Sequence, residues 1–220
     1  MRSMGRRCQA RRSWSAMTGG VMRQRTGFAV VLMLLLCASS ANATLSKGQW
    51  LLGPSAGLLI PVGDYKDIGK TGFGLSADAD YVLSPSGSIG AVVAYNRNGW
   101  SDDFKQALQM ATGLPIDGHY TVMHYGARGR FFLAPEGKTK PFIAVGGGLY
   151  NFKVTGKLYG SSASDSQTKG GINGGLGLLF DAGTSAHVGV QGTFHDILTD
   201  GSNLKYVNAT AVLLFDVGKK

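Results

Sequence analysis

The chain has 220 residues, and its 34 glycines with only 16% charged residues argue against a helical or an intrinsically disordered protein. The formal net charge of +9 is concentrated before residue 44, where seven of the 22 basic residues and none of the 13 acidic residues lie. The rest of the chain has a net charge of +2, which removes the electrostatic argument for a nucleic-acid-binding protein.

The first 43 residues have the organisation of a leader. A basic stretch that starts at Met22 is followed by the apolar run Phe28–Leu36, and Ala41-Asn42-Ala43 is a small-residue cleavage site. We therefore expect a signal peptide over residues 22–43 that is cleaved before Thr44. Residues 1–21 are either an over-long start or an extension of the basic region.

Residues 44–220 are expected to form one exported domain. Both cysteines, Cys8 and Cys37, lie in the leader, so neither a disulfide nor thiol chemistry is expected in this domain. The domain also lacks a run of 18 apolar residues, which argues against a membrane-spanning helix.

Alternation of apolar and polar residues with a period of two dominates the sequence after the leader. Residues 72–83 show it best, because Phe73 and Leu75 share one face of the chain whereas Ser76 and Asp78 share the other. The same pattern predicts eight strands, over residues 50–62, 72–83, 87–99, 118–133, 141–155, 169–182, 185–197 and 204–217.

The predicted connections alternate between long and short. The first, third, fifth and seventh span residues 63–71, 100–117, 156–168 and 198–203, whereas the others span 84–86, 134–140 and 183–184. A short helix is predicted only around Ser101–Ala111. An up-and-down meander places alternate connections at opposite ends, so the sequence predicts an all-β, eight-stranded antiparallel transmembrane barrel with short periplasmic turns and longer extracellular loops.

Aromatic residues with the parity of the apolar, outward face are predicted to form two girdles. The set near the short turns is Trp50, Tyr81, Phe131, Phe142, Phe180 and Phe215, and the set near the opposite end is Phe73, Tyr95, Tyr150 and Phe194. On the fifth strand this assignment leaves three apolar residues on the inward face, namely Ile143, Val145 and Leu149.

Charged residues in mid-strand have the opposite, inward parity. Asp78 and Asp80 on the second strand are expected to pair with Arg128 and Arg130 on the fourth across a narrow lumen, with Asp181 as a further member of this polar network. Such a network would leave no continuous channel. A soluble barrel would show the same periodicity, but its polar face would be rich in Lys, Glu and Thr, whereas this one is mostly Gly and Ser.

The sequence resembles the small bacterial outer-membrane β-barrel family, the OmpA/OmpX-type, porin-like eight-stranded barrels. The resemblance is carried by GLLIPVGDYKDIG and GFGLSADADYVL in the first hairpin, KPFIAVGGGLYNF in the fifth strand and NATAVLLFDVG in the eighth. It extends over residues 44–220 and implies a monomer in the outer membrane of a Gram-negative bacterium. It also implies contact with outer-membrane lipid and lipopolysaccharide, and with the barrel-assembly machinery during biogenesis.

Two motifs point to catalysis but lack the required context. Gly53–Gly57 matches the G-x-S-x-G elbow of the α/β hydrolases, yet it lies within an alternating strand and not at a strand-to-helix turn. His195-Asp196 is similar to a motif of barrel-type lipid A deacylases, but the serine is missing and adjacent strand residues face opposite sides. No histidine has a metal-ligand spacing. The sequence therefore predicts no catalytic, cofactor or metal site.

We expect a non-enzymatic protein with a structural or surface-interaction role through its extracellular loops. The expected contact surface for an extracellular partner consists of Trp100, Phe104, Leu108, Met110 and Leu114. The first alternative is transport or binding of a small hydrophobic ligand, which an apolar pocket lined by Tyr120, Val122 and Leu149 would favour. The second is a lipid A-modifying hydrolase.

Overall fold

A computed structural model describes residues 44–158, 161–199, 201 and 203–218. The expected leader, residues 1–43, lies outside the described residues. Eight strands form one closed barrel in which every strand pairs with its neighbours in sequence and the last pairs with the first. All these pairs are antiparallel, so the predicted fold class is confirmed.

The strands agree closely with the apolar and polar alternation of the sequence. They are β1 (Trp50–Val62), β2 (Gly72–Ser84), β3 (Gly87–Gly99), β4 (Asp117–Phe132), β5 (Thr139–Leu158), β6 (Ser161–Asp181), β7 (Ala186–Ile197) and β8 (Leu204–Val217). Except for β5 and β6, every boundary lies within one residue of its prediction.

The third long connection differs from its prediction. The sequence predicts a loop over residues 156–168, but β5 and β6 pair without a break up to Leu158 and Ser161. Residues 161–168 are all exposed. Because both faces of this ribbon are solvated, its sequence lacks the apolar alternation that would identify a strand.

The described parts of the long connections, at the end of the barrel opposite the short turns, contain two helices. They are α1 (Tyr65–Ile68), a single turn that the sequence did not reveal, and α2 (Asp102–Thr112), which was predicted. The Ser101 Oγ accepts a hydrogen bond from the Phe104 N–H at 3.1 Å and caps the start of α2. Gly113, at φ +72°, ends it in the left-handed conformation.

None of the described helices is long and apolar enough to cross a membrane.

Two clusters of buried apolar residues occupy opposite ends of the lumen. The turn-end cluster lies near the short turns and consists of Leu45, Leu51, Val82, Phe132, Phe142, Ala144, Leu179, Val212 and Leu214. The mouth cluster lies near the long connections and consists of Leu59, Tyr65, Trp100, Tyr120, Val122, Tyr150, Ile197 and Tyr206. Polar side chains fill the space between the two clusters.

Candidate functional site

An ionic belt of four charged side chains, Asp78, Asp80, Arg128 and Arg130, crosses the lumen between the two apolar clusters. Arg128 contacts the Asp78 carboxylate at 2.8 Å and the Asp80 carboxylate at 3.0 Å. Arg130 donates to the same Asp80 oxygen and also reaches the Gln191 amide oxygen at 3.4 Å. All four charges are buried, and their pairing offsets the cost of removing them from water. The structure thus brings together the four charged residues that the sequence singled out on β2 and β4.

Asp181 belongs to a second network at the turn end of the barrel. Its carboxylate accepts hydrogen bonds from the Lys140 ammonium at 2.6 and 2.7 Å and lies 2.9 Å from the His187 Nδ1. The opposite ring nitrogen of His187 lies 3.1 Å from Asp216, which also accepts from the Gln49 amide. Asp181 is therefore separate from the ionic belt, and the sequence did not identify its partners Lys140 and His187.

A small cavity of about 40 Å³ lies beside the ionic belt, with room for only a few water molecules. Two histidines line it, and each stacks on a tyrosine: His124 on Tyr150 at 4.2 Å, and His195 on Tyr206 at 4.5 Å between ring centroids. The Tyr150 hydroxyl lies 3.0 Å from the His195 Nδ1. The hydrogen-bonding partner of His195 is therefore a phenol, whereas Asp196 has the opposite strand parity.

The serine of the G-x-S-x-G motif lines the same cavity, but among the described residues its hydrogen-bond partner is another serine and not one of the two histidines. The Ser55 Oγ is 2.5 Å from the Ser76 Oγ, and these two hydroxyls bond to each other across β1 and β2. Catalysis by this serine would need a histidine or another base in hydrogen-bonding reach. The arrangement gives the motif no catalytic geometry.

The mouth cluster closes the lumen below the long connections. Tyr65 on α1 points into it, and burial raises the pKa of this tyrosine well above its ordinary value. The Tyr65 hydroxyl donates to the Asn98 amide oxygen at 2.7 Å, and the ring packs edge-on against Tyr120 at 5.7 Å. A side chain at Gly118 would collide with the Trp100 ring, so this glycine makes room for the indole.

The outward face is apolar. Among the described strand residues between the two expected girdles, no charged side chain has outward parity. Lipid exposure of a lysine or arginine at mid-depth would cost about 2 to 4 kcal/mol. The large exposed apolar side chains of this face include Leu58, Leu75, Ile89, Val93, Tyr125, Val145, Leu149, Ile172 and Leu176.

Two of the ten predicted girdle residues are placed wrongly by the sequence analysis. Phe142 and Tyr150 are 1% and 0% exposed and point into the lumen, whereas Val145 is 64% exposed. The two faces of β5 are therefore reversed relative to the prediction. The other eight have outward parity and are exposed or partly exposed, namely Trp50, Phe73, Tyr81, Tyr95, Phe131, Phe180, Phe194 and Phe215.

The expected loop contact surface is also mostly turned inward. Trp100 is buried in the mouth cluster, and Phe104 and Leu108 on α2 pack against that cluster. The Phe104 ring meets the Trp100 indole edge-on at 5.3 Å. Leu114 is partly buried, and Met110, 75% exposed, is the member that remains free for a partner. Burial of its apolar face stabilises an amphipathic helix, and the apolar face of α2 is buried against the barrel mouth.

The residues named for a ligand pocket do not form one. Tyr120 and Val122 are buried in the mouth cluster, and Leu149 lies on the outward face. A hollow of about 850 Å³ lies on the outside of the barrel, over small residues such as Ala79, Ala91 and Ala127.

The fold is similar to that of solved outer-membrane proteins. Ail, the attachment invasion locus protein of Yersinia pestis, is 15% identical with a TM-score of 0.55, over 78% of this chain and 99% of that protein. Neisserial surface protein A, NspA, is also 15% identical with a TM-score of 0.55, over 77% and 99%. OprG from Pseudomonas aeruginosa is 12% identical with a TM-score of 0.51, over 81% and 100%.

No protein-family model and no curated protein matches the sequence. At the identities of the solved structures, the likeness concerns the fold: this chain has the fold of the eight-stranded outer-membrane β-barrels.

Proposed function

We propose that the protein is a non-enzymatic, integral protein of the Gram-negative outer membrane that acts through its outer end. The observation that carries the proposal is the combination of an outward face that is apolar and uncharged between the two girdles with a lumen filled by side chains. A soluble barrel would reverse this arrangement, because its apolar face would be buried inside. The outer-membrane fold of the similar structures supports the same placement.

The filled lumen argues against transport and ligand binding. Pockets for small organic ligands usually have volumes of about 300 to 1,000 Å³, whereas the cavity beside the ionic belt has a volume of about 40 Å³. The ionic belt and both apolar clusters would have to move before a solute could pass. This arrangement favours a closed barrel over a transporter.

The interaction role is assigned to the exposed surfaces at the outer end. They comprise the outer side of α2 around Met110 and the solvated ribbon formed by β5 and β6. The partner is an extracellular molecule of unidentified class. Within the membrane we propose a monomer surrounded by lipid and lipopolysaccharide and inserted by the barrel-assembly machinery, since the closed barrel leaves no strand edge in the apolar band unpaired.

Cell fractionation with gel migration before and after boiling tests the membrane assignment. We expect the protein in the outer-membrane fraction, with an unboiled band that migrates differently from the boiled one because the barrel stays folded in detergent. A freely soluble periplasmic protein with a single band would contradict the proposal. Planar-bilayer recording tests the closed lumen, and a stable large conductance from the purified barrel would contradict it.

A further inference from the structure

A cationic patch lies on the outward side of β3, β4 and β5, towards the outer end of the barrel. It is formed by Arg97, His119, Lys153 and Lys157. In the antiparallel register, Thr121 stands between Arg97 and Lys153 on one row. Because neighbouring strands are about 4.8 Å apart, these two cations start about 10 Å from each other, and their long side chains can converge on one anion.

The patch residues lack the carboxylate partners that other cations of the outer end have. Lys70 pairs with Asp102 at 2.6 Å and Lys105 pairs with Asp117 at 2.7 Å. Within the part of the chain that the structure describes, no carboxylate lies within 4.0 Å of the cationic groups of Arg97, Lys153 or Lys157. One carboxylate, Asp117, stands across from Lys157 in the register, but it pairs with Lys105. The patch therefore carries a net positive charge.

Three positive charges of the patch also act on one ring, that of His119. Arg97, Lys157 and Lys153 all lie close enough to His119 to act electrostatically on its ring, and only Asp117 opposes them. Cations gathered around one ring repel one another in the absence of a counter-ion. An anion bound among them would remove this repulsion.

The opposite side of the barrel has no comparable patch among the described residues. On the outward ends of β7 and β8, the acidic Asp196 stands directly across from Lys205 in the register. The neighbouring outward positions on β1 and β2 are apolar, Ile60 and Phe73. The excess of cations is therefore specific to the side formed by β3, β4 and β5.

We propose that the cationic patch binds the phosphate-bearing headgroup of a lipid of the surrounding membrane leaflet. This inference rests on the proposed function, because it requires the barrel to lie in the outer membrane. On the membrane side of the patch, Tyr95 lies two residues from Arg97 and the exposed Leu149 lies four residues from Lys153. A molecule with an anionic head and apolar chains matches both parts of this surface, whereas a soluble anion would use only the upper part.

The threonine hydroxyls strengthen the case for a phosphate. Thr121 lies between Arg97 and Lys153, and Thr155 lies between Lys153 and Lys157 on the outward face of β5. Hydroxyl donors interspersed with guanidinium and ammonium groups match the several acceptor oxygens of a phosphate group.

The test compares a patch variant with a control that removes the same charge from the same end. The patch variant is Arg97→Gln, Lys153→Gln and Lys157→Gln, and the control is Lys66→Gln, Lys70→Gln and Lys205→Gln. Native mass spectrometry of the detergent-solubilised barrel measures the apparent Kd for bisphosphorylated lipid A and for its dephosphorylated form. Each cation near an anionic surface strengthens binding roughly fivefold. Because the patch variant lacks three cations, we expect it to bind the phosphorylated lipid about 100-fold more weakly.

The control should stay within about threefold of the unmodified protein, and the dephosphorylated lipid should bind weakly to all three proteins. An equal loss in patch variant and control would overturn the proposal, because binding would then depend on net charge alone. Displacement of the lipid by millimolar inorganic phosphate would also overturn it, since the site would then bind a free anion.

Two further measurements distinguish a loss of lipid binding from a loss of folding and from a failure of the proposed function. The charge-conserving variant Arg97→Lys, Lys153→Arg and Lys157→Arg should retain binding. Boiling-dependent gel migration and insertion into phosphatidylcholine vesicles are scored first for every protein. A barrel that inserts but does not prefer the phosphorylated lipid contradicts the patch alone, whereas a chain that does not insert contradicts the proposed function.

Discussion

Asp80 is the residue on which the ionic belt depends most. Its carboxylate accepts from both Arg128 and Arg130, whereas Asp78 pairs with Arg128 alone among the described residues. Arg130 has, besides Asp80, a 3.4 Å contact to Gln191 and the face of Phe142 at 5.2 Å from the ring centroid. Removal of Asp80 would therefore leave Arg130 with no carboxylate in a buried position.

We expect Asp80→Asn to lower the free energy of unfolding by about 3 to 5 kcal/mol, the range for breaking a buried ion pair by removal of one partner. Asp78→Asn should cost less, because Arg128 keeps its contact with Asp80. Urea unfolding of the barrel in phospholipid vesicles, followed by tryptophan fluorescence, measures both. A larger loss for Asp78→Asn than for Asp80→Asn would contradict the central role given to Asp80.

The structure brings together the charges that the sequence predicted for the belt, but the sequence did not identify the partners of Asp181 at the turn end. The alternation on β2 and β4 is uninterrupted, so many neighbouring residues indicate that Asp78 and Arg128 lie on the inward face. Lys140 stands at the start of β5 with the parity of Phe142. Since Phe142 was expected to face lipid, Lys140 could not be recognised as the lumen partner of Asp181.

The reversal of β5 shows where sequence periodicity stops being informative. Both faces of this strand are apolar, with Phe142, Ala144 and Tyr150 inside and Val145 and Leu149 outside. The three central glycines carry no side chain that could fix the phase. The prediction assigned the aromatic residues Phe142 and Tyr150 to the membrane girdles, whereas both fill the lumen. The pairing of Lys140 with Asp181 marks the inward face of β5 in the structure, but it could not be derived from the sequence of β5 alone.

A pair of lysine substitutions on β5 tests this orientation. Val145→Lys places a charge on the apolar band and should lower the free energy of unfolding by about 2 to 4 kcal/mol. Asn151→Lys has the same outward parity but lies closer to the outer end, where the cost should be at most about 1 kcal/mol. The measurement is equilibrium unfolding in vesicles. Equal costs at the two positions would contradict a lipid-facing Val145.

Helix α2 is held by two exposed ion pairs that should respond to acid. The hydrogen bond from Lys70 lowers the pKa of Asp102, and the hydrogen bond from Lys105 lowers the pKa of Asp117. A carboxylate with a lowered folded-state pKa stabilises the fold above its ordinary value of 3.8, and this contribution is lost as the pH falls through the lowered value. Acid should therefore loosen α2 from the barrel mouth.

Amide hydrogen exchange of α2 measures this effect, with rates corrected for the intrinsic pH dependence. We expect faster exchange at pH 3 than at pH 6 in the unmodified protein. The double variant Lys70→Gln and Lys105→Gln should exchange faster already at pH 6, with little further change in acid. If acid accelerates exchange equally in both proteins, the ion pairs do not hold the helix.

At the scale of the whole molecule, the lumen is closed by three layers in series: the turn-end cluster, the ionic belt and the mouth cluster. An eight-stranded barrel is just wide enough for its interior to be filled by side chains. The sequence predicted the ionic layer alone, because the two apolar layers depend on the correct phase of β5 and on α1 and α2 folding over the mouth. Closure is therefore more redundant than the sequence indicated.

Layers in series predict that no single truncation opens the barrel. Tyr150→Ala in the mouth cluster and Phe142→Ala in the turn-end cluster should each lower the free energy of unfolding by about 3 to 5 kcal/mol. Neither variant should conduct ions in planar-bilayer recordings, because two intact layers still block the path. Leu176→Ala on the lipid-facing side is the control for general loosening. The double variant Tyr150→Ala and Phe142→Ala leaves the ionic belt as the last barrier and should give brief, small openings. A large, steady conductance from either single variant would show that its layer alone closes the lumen.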